Sequence, residues 1–113
     1  MKINRIKETC LYSRDLHTAR AFYEGKLGLK CFSFVEGRFA FFRAGESVLL
    51  VFDPDFSKNQ TGLPPHWSTG AYHFAFEVAQ EDYQAWKEEQ HSFYFNDPDG
   101  HVLEIVMSGL WDY

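Results

Sequence analysis

The chain has 113 residues, 16 acidic against 11 basic side chains, a net charge of −5 and 19% aromatic residues, 12 of them phenylalanine. That length holds one domain with a real core, and the charge excludes the basic footprint of a nucleic-acid or anionic-membrane partner. No apolar run reaches membrane-spanning length, MKINRIKETC has no signal-peptide core, and Cys10 and Cys31 show no metal or redox spacing, so a cytoplasmic protein with reduced thiols is expected.

Residues 5–13 predict a strand. Asp15 is placed to N-cap a helix through Leu16, Ala19, Phe22 and Tyr23, and Gly25 and Gly28 end it, Gly28 being the better C′ residue. Strands follow at 29–35, 38–43 and 48–52, divided by turns at Glu36-Gly37 and 44–47. Residues 53–70, DPDFSKNQTGLPPHWSTG, carry turn formers without a period and predict a linker or surface loop. The pattern then restarts. Residues 71–78 alternate strictly, with Tyr72, Phe74, Phe76 and Val78 on one face and His73, Ala75 and Glu77 on the other. A helix over 81–90 places Tyr83 and Trp86 on one side, and strands are expected at 92–95 and 101–107.

This order is an internal repeat within a single domain spanning 1–113: module one at 4–53, linker 54–70, module two at 71–107. The second copy is too short. Gln90 runs into His91 with no Gly, Pro or intervening strand, so either a strand has been lost or a segment is absent between 90 and 91. The abrupt change from helical to strand chemistry favours the absent segment.

Within FYFNDPDGHVLEI (93–105), the Asp97-Pro98-Asp99-Gly100 turn sets the register of a strand in which Val102, Leu103, Ile105 and Val106 surround one acid, Glu104. A carboxylate in a buried strand needs a partner or a metal. Superposing the two copies puts Glu8 and His73 on equivalent positions, each seven residues before its helix start, and sets the Leu49-Leu50 pair against Glu104. A set of two carboxylates and one imidazole suits a divalent ion such as zinc, manganese, iron, nickel or cobalt. Three protein ligands leave room for water or substrate, as catalytic sites do.

The repeat, DLHTARAFYEGKLGL (15–29), HFAFEV (73–78) and FYFNDPDGHVLE (93–104) together resemble the vicinal oxygen chelate superfamily over nearly the whole chain. That group includes glyoxalase I, extradiol dioxygenases, methylmalonyl-CoA epimerase, fosfomycin-resistance thiol transferases and bleomycin-resistance proteins. The resemblance implies an α+β fold of two tandem βαβββ modules curling a mixed sheet around a metal and substrate cavity, commonly in a homodimer. It implies metal ligation by Glu8, His73 and Glu104. Glyoxalase I carries a fourth, acidic ligand where Leu49 and Leu50 stand. The fosfomycin transferases carry His, His and Glu, with a Ser and a Tyr before the turn; Ser92 and Tyr94 match those two, whereas Glu8 replaces the first His and no Arg follows Glu104 in SGLWDY.

The expected function is therefore a metal-dependent, glyoxalase-like lyase or isomerase chelating a small oxygenated substrate. Glu104 or Glu8 would serve as general base. Ser92, Tyr94, Cys10 and Tyr12 are expected to line the substrate site. Two alternatives stand beside it: thiol transfer of the fosfomycin-resistance type, and metal-free drug sequestration of the bleomycin-resistance type. His17, His66 and His101 read as solvated, and Glu77 as exposed.

Overall fold

The computed structural model describes residues 1–112, which divide into two units, Met1–Thr69 and a second that begins at Gly70. The first holds β1 (Glu8–Tyr12), α1 (Leu16–Arg20), β2 (Lys30–Val35), β3 (Phe39–Ala44), β4 (Ser47–Phe52) and α2 (Pro54–Asn59). Its sheet runs β1-β4-β3-β2, with β1 parallel to β4 and the other pairs antiparallel.

The first helix starts where local chemistry says it should. Asp15 accepts hydrogen bonds from the Thr18 backbone N–H (3.0 Å) and the Thr18 hydroxyl (2.7 Å). Past Arg20 the helix widens into a π-helical stretch, Ala21–Lys26, with Leu27 N–H donating to the Phe22 carbonyl. Gly28 then takes φ +77°, a left-handed conformation without a Cβ penalty, and the chain turns into β2. One sheet face packs on this helix: Leu11, Ala40, Phe42, Leu49 and Val51 are buried with Leu16, Ala19 and Tyr23. The opposite face carries Phe39 stacked on Phe41 (4.1 Å) and Phe52 set edge-on to Phe41 (5.4 Å).

The expected loop at 53–70 contains a helix. Asp53 caps α2 by accepting from Asp55 N–H (2.9 Å) and Phe56 N–H (3.3 Å), and Pro54 occupies its first turn. The Asp-Pro pair is itself a helix-start signal, because Pro presets φ where no N–H partner is needed.

The second unit holds β5 (His73–Val78), α3 (Gln80–Gln90), β6 (Tyr94–Asn96) and β7 (Val102–Met107). Its three-stranded sheet runs β5-β7-β6, one strand fewer than the first. The helix stops without glycine because His91 adopts the left-handed conformation (φ 63°), and Tyr83 stacks on Phe93 (4.2 Å) just before β6. Asp97 shapes the hairpin, its carboxylate accepting from Asp99 N–H (3.0 Å) and His101 N–H (2.8 Å).

Strand β7 is buried on one face only. Leu103 and Ile105 are enclosed, while Val102 and Glu104 lie on the more open face. The expectation of a carboxylate inside a fully buried strand is corrected accordingly: the acid is half-buried and its desolvation smaller. Among the described residues, no helix is long and apolar enough to cross a membrane.

Candidate metal and substrate site

Strand pairing aligns the two units residue by residue. In the first, Glu8 pairs with Val48 and Cys10 with Leu50; in the second, His73 pairs with Val102 and Ala75 with Glu104. Glu8 and His73 therefore hold equivalent places, and of the Leu49-Leu50 pair it is Leu50 that corresponds to Glu104. The antiparallel pairs extend the match, with Phe41 opposite Leu50 and Tyr94 opposite Glu104. One unit thus presents Glu, Leu and Phe where the other presents His, Glu and Tyr.

The second set converges. His73 Nε2 lies 3.4 Å from Glu104 Oε1, with the imidazole 55% and the carboxylate 23% exposed. His73 Nδ1 is 3.0 Å from the Val102 carbonyl, which can only accept, so Nδ1 carries the proton. In the neutral ring Nε2 then offers a lone pair toward the carboxylate. Two electron-pair donors facing each other at that distance call for a proton or a cation between them. Tyr94 closes the group: its ring stacks near His73 (6.4 Å, 26°), and the neighbouring Glu104 charge pushes its pKa up. Ser92 caps the strand start, its hydroxyl accepting from Tyr94 N–H (3.1 Å).

Glu8 belongs to the other unit. It is exposed at the start of β1 and shares a strand face with Cys10 and Tyr12. Burial, then the Glu8 charge, push the Cys10 thiol's pKa up, so the thiol form dominates near neutrality. Among the described residues, no group of three or more His, Cys, Asp or Glu side chains is placed to hold a metal ion. The pair His73 and Glu104 is brought together within the second unit, and Glu8 belongs to the first.

Of the three histidines read as solvated, two are otherwise placed. His101 is 3% exposed and accepts the Tyr72 N–H through Nδ1 (3.0 Å). His66 is half-buried, its Nδ1 2.7 Å from the Tyr12 hydroxyl and its ring edge-on to Phe52 (4.7 Å). Both pairings span many residues and leave no local sequence signal. His17 is exposed and pairs with Glu36 (2.6 Å).

A metallothiol transferase, FosB, of Staphylococcus epidermidis is 28% identical over 132 aligned positions covering 99% of this chain and 87% of that protein. Those positions outnumber the 113 residues here by 19, so the relative carries stretches with no counterpart in this chain. The crystal structure of a lactoylglutathione lyase from Agrobacterium tumefaciens superposes with a TM-score of 0.91 at 28% identity, covering all of both chains. A virulence protein from Salmonella typhimurium shares the fold at 20% identity (TM-score 0.72, 95% of this chain and 98% of that one). The model of the Glyoxalase/Bleomycin resistance protein/Dioxygenase superfamily matches residues 3–88, more than half of the chain, which with its mixed α+β architecture belongs to that superfamily.

Proposed function

We propose that the protein is a metal-dependent enzyme of glyoxalase-like type, acting as a lyase or isomerase on a small molecule that it holds through neighbouring oxygens. The observation that carries this is the 3.4 Å approach of His73 Nε2 to Glu104 Oε1, with the other ring nitrogen tied to a backbone carbonyl. That donor set fits a divalent ion such as zinc, manganese, iron, nickel or cobalt, with Glu8 as third ligand from the same chain or from a second copy. When bound, the ion supplies Lewis acidity toward substrate oxygens. Glu104 holds or takes a proton at its carboxylate, and Tyr94, paired with it across β6 and β7, flanks that carboxylate. Glu8 is the second candidate base. Elemental analysis of protein purified without chelator, beside Glu104→Gln, tests the reading. About one ion per chain in the parent and far less in the variant supports it; near-zero metal in both leaves drug sequestration on the phenylalanine face of the first sheet as the better account.

Thiol transfer to an electrophile such as an epoxide is the second reading. It is favoured by Tyr94 standing across from Glu104 with Ser92 just before it, by apolar Leu50 where glyoxalase I needs an acid, and by likeness to a metallothiol transferase. Metal-dependent loss of free thiol in the presence of an epoxide would separate it from isomerisation, which consumes none.

A further inference from the structure

We propose that Tyr12 and His66 form a proton-transfer pair on the open face of the first sheet, a second reactive element in addition to the His73–Glu104 group. The proposal rests on the enzyme reading for its biological use, but not for its chemistry. Glu8, Cys10 and Tyr12 alternate with buried Leu11, so all three share the face turned away from α1. Tyr12 lies four residues beyond Glu8, about 13 Å along the strand, and marks the other end of this row.

His66 is held there from three directions. Its backbone N–H donates to the Ser57 carbonyl (3.0 Å), and Ser57 is a fully buried residue of α2. Its ring rests edge-on against Phe52, the residue paired with Tyr12 across β1 and β4. Its Nδ1 meets the Tyr12 hydroxyl at 2.7 Å, within the range of a strong hydrogen bond. A phenol keeps its proton more tightly than a neutral imidazole takes one, so at rest the hydroxyl donates to Nδ1. The proton crosses when the phenol oxygen commits an electron pair elsewhere. If that pair takes a proton from a substrate O–H or S–H, the phenolic proton passes to Nδ1 and the charge change spreads over both groups. Phe39, Phe41 and Phe52 form an apolar floor beside the pair, suiting a substrate with a flat or hydrophobic segment next to the group that ionises. Tyr12 is the proton-transfer residue, and His66 orients it and receives its proton.

The full chain as purified, treated with N-acetylimidazole at neutral pH and read by peptide mass spectrometry, tests this without substrate or added metal. The acetyl carbon gains a bond to the Tyr12 oxygen, its bond to the departing imidazole nitrogen breaks, and the phenolic proton passes to His66 and, through water, to that nitrogen, so that neutral imidazole leaves. Tyr12, though half-buried, should acetylate faster than the more exposed Tyr94. His66→Phe should slow Tyr12 by about a hundredfold, the low end of general-base assistance. His66→Asn, which can accept the hydrogen bond but not the proton, should stay as slow as His66→Phe. Full rescue by Asn, or an unchanged rate in His66→Phe, overturns the proposal and leaves His66 a loop anchor. Should both variants misfold, Tyr12 reacting more slowly than Tyr94 in the parent protein overturns it alone. Metal content is unaffected by these outcomes, so failure here and failure of the metal reading are distinguishable.

Discussion

Tyr94 stands directly across the β6–β7 pair from Glu104, in the place that Phe41 and Leu50 occupy in the first unit. The Glu104 charge stabilises the protonated phenol, so Tyr94 should ionise above the ordinary tyrosine range. In a spectrophotometric titration, Glu104→Gln should bring that ionisation back down, and Tyr94→Phe should delete it. An unmoved transition in Glu104→Gln would mean the two groups do not meet in solution.

Metal affinity is expected to follow charge and lone pairs. Glu104→Gln and His73→Ala should each weaken a divalent ion by more than about tenfold, the lower bound for losing even an outer partner of a ligand. Thermal stability of the metal-free protein should change much less, since both side chains face the open side of their strands. Leu50→Glu is the reverse experiment: it supplies an acid at the position that register makes Glu104's counterpart, and tighter binding is the expected outcome. Equilibrium dialysis against zinc or nickel decides both.

The protein is expected to be a homodimer. Each sheet has open edges, at β1 and β2 in one unit and at β5 and β6 in the other, and unpaired strand edges are commonly covered by a second copy. Light scattering at micromolar concentration should give twice 13.2 kDa; a value of 13.2 kDa would exclude the dimer and require Glu8 to act within its own chain.

Acid should destabilise the first unit through Asp15 and Glu24. The Thr18 hydroxyl and N–H hold the Asp15 carboxyl below its ordinary range, and the Cys31 N–H with Arg20 does the same for Glu24. A folded pKa below the unfolded one contributes stability that is present above the unfolded value and lost as pH falls through the folded one. Urea midpoints should therefore decrease as pH falls below the ordinary carboxylate values of 3.8 and 4.5, and Glu24→Gln should flatten that decrease. A variant with the parent's pH slope would show that Glu24 does not contribute.

The junction of Gln90 and His91 carries two irregularities. The buried Gln90 Nε2 has no hydrogen-bond partner among the described residues, and His91 takes a positive φ without being glycine. With three strands in the second sheet among the described residues and a longer alignment with the transferase, a further segment of the natural protein is expected here. Its intact mass should then exceed 13.2 kDa; a matching mass would establish a true strand deletion.

Local chemistry in the sequence determined the parts that depend on near neighbours. The Asp15 cap, the Gly28 exit, the alternation from His73 to Val78 and the Asp97–Gly100 turn are settled within a few residues of themselves. Even α2, read as loop, was announced by Asp53-Pro54. What the sequence could not settle is what strand pairing decides. Whether Leu49 or Leu50 matches Glu104, whether β7 is buried on one face or two, and whether Tyr94 meets that acid all depend on which residues lie across a ladder. A one-residue shift in register would turn every side chain to the other face. The Tyr12–His66 pair joins residues 54 positions apart, and only packing of the loop against Phe52 brings them together.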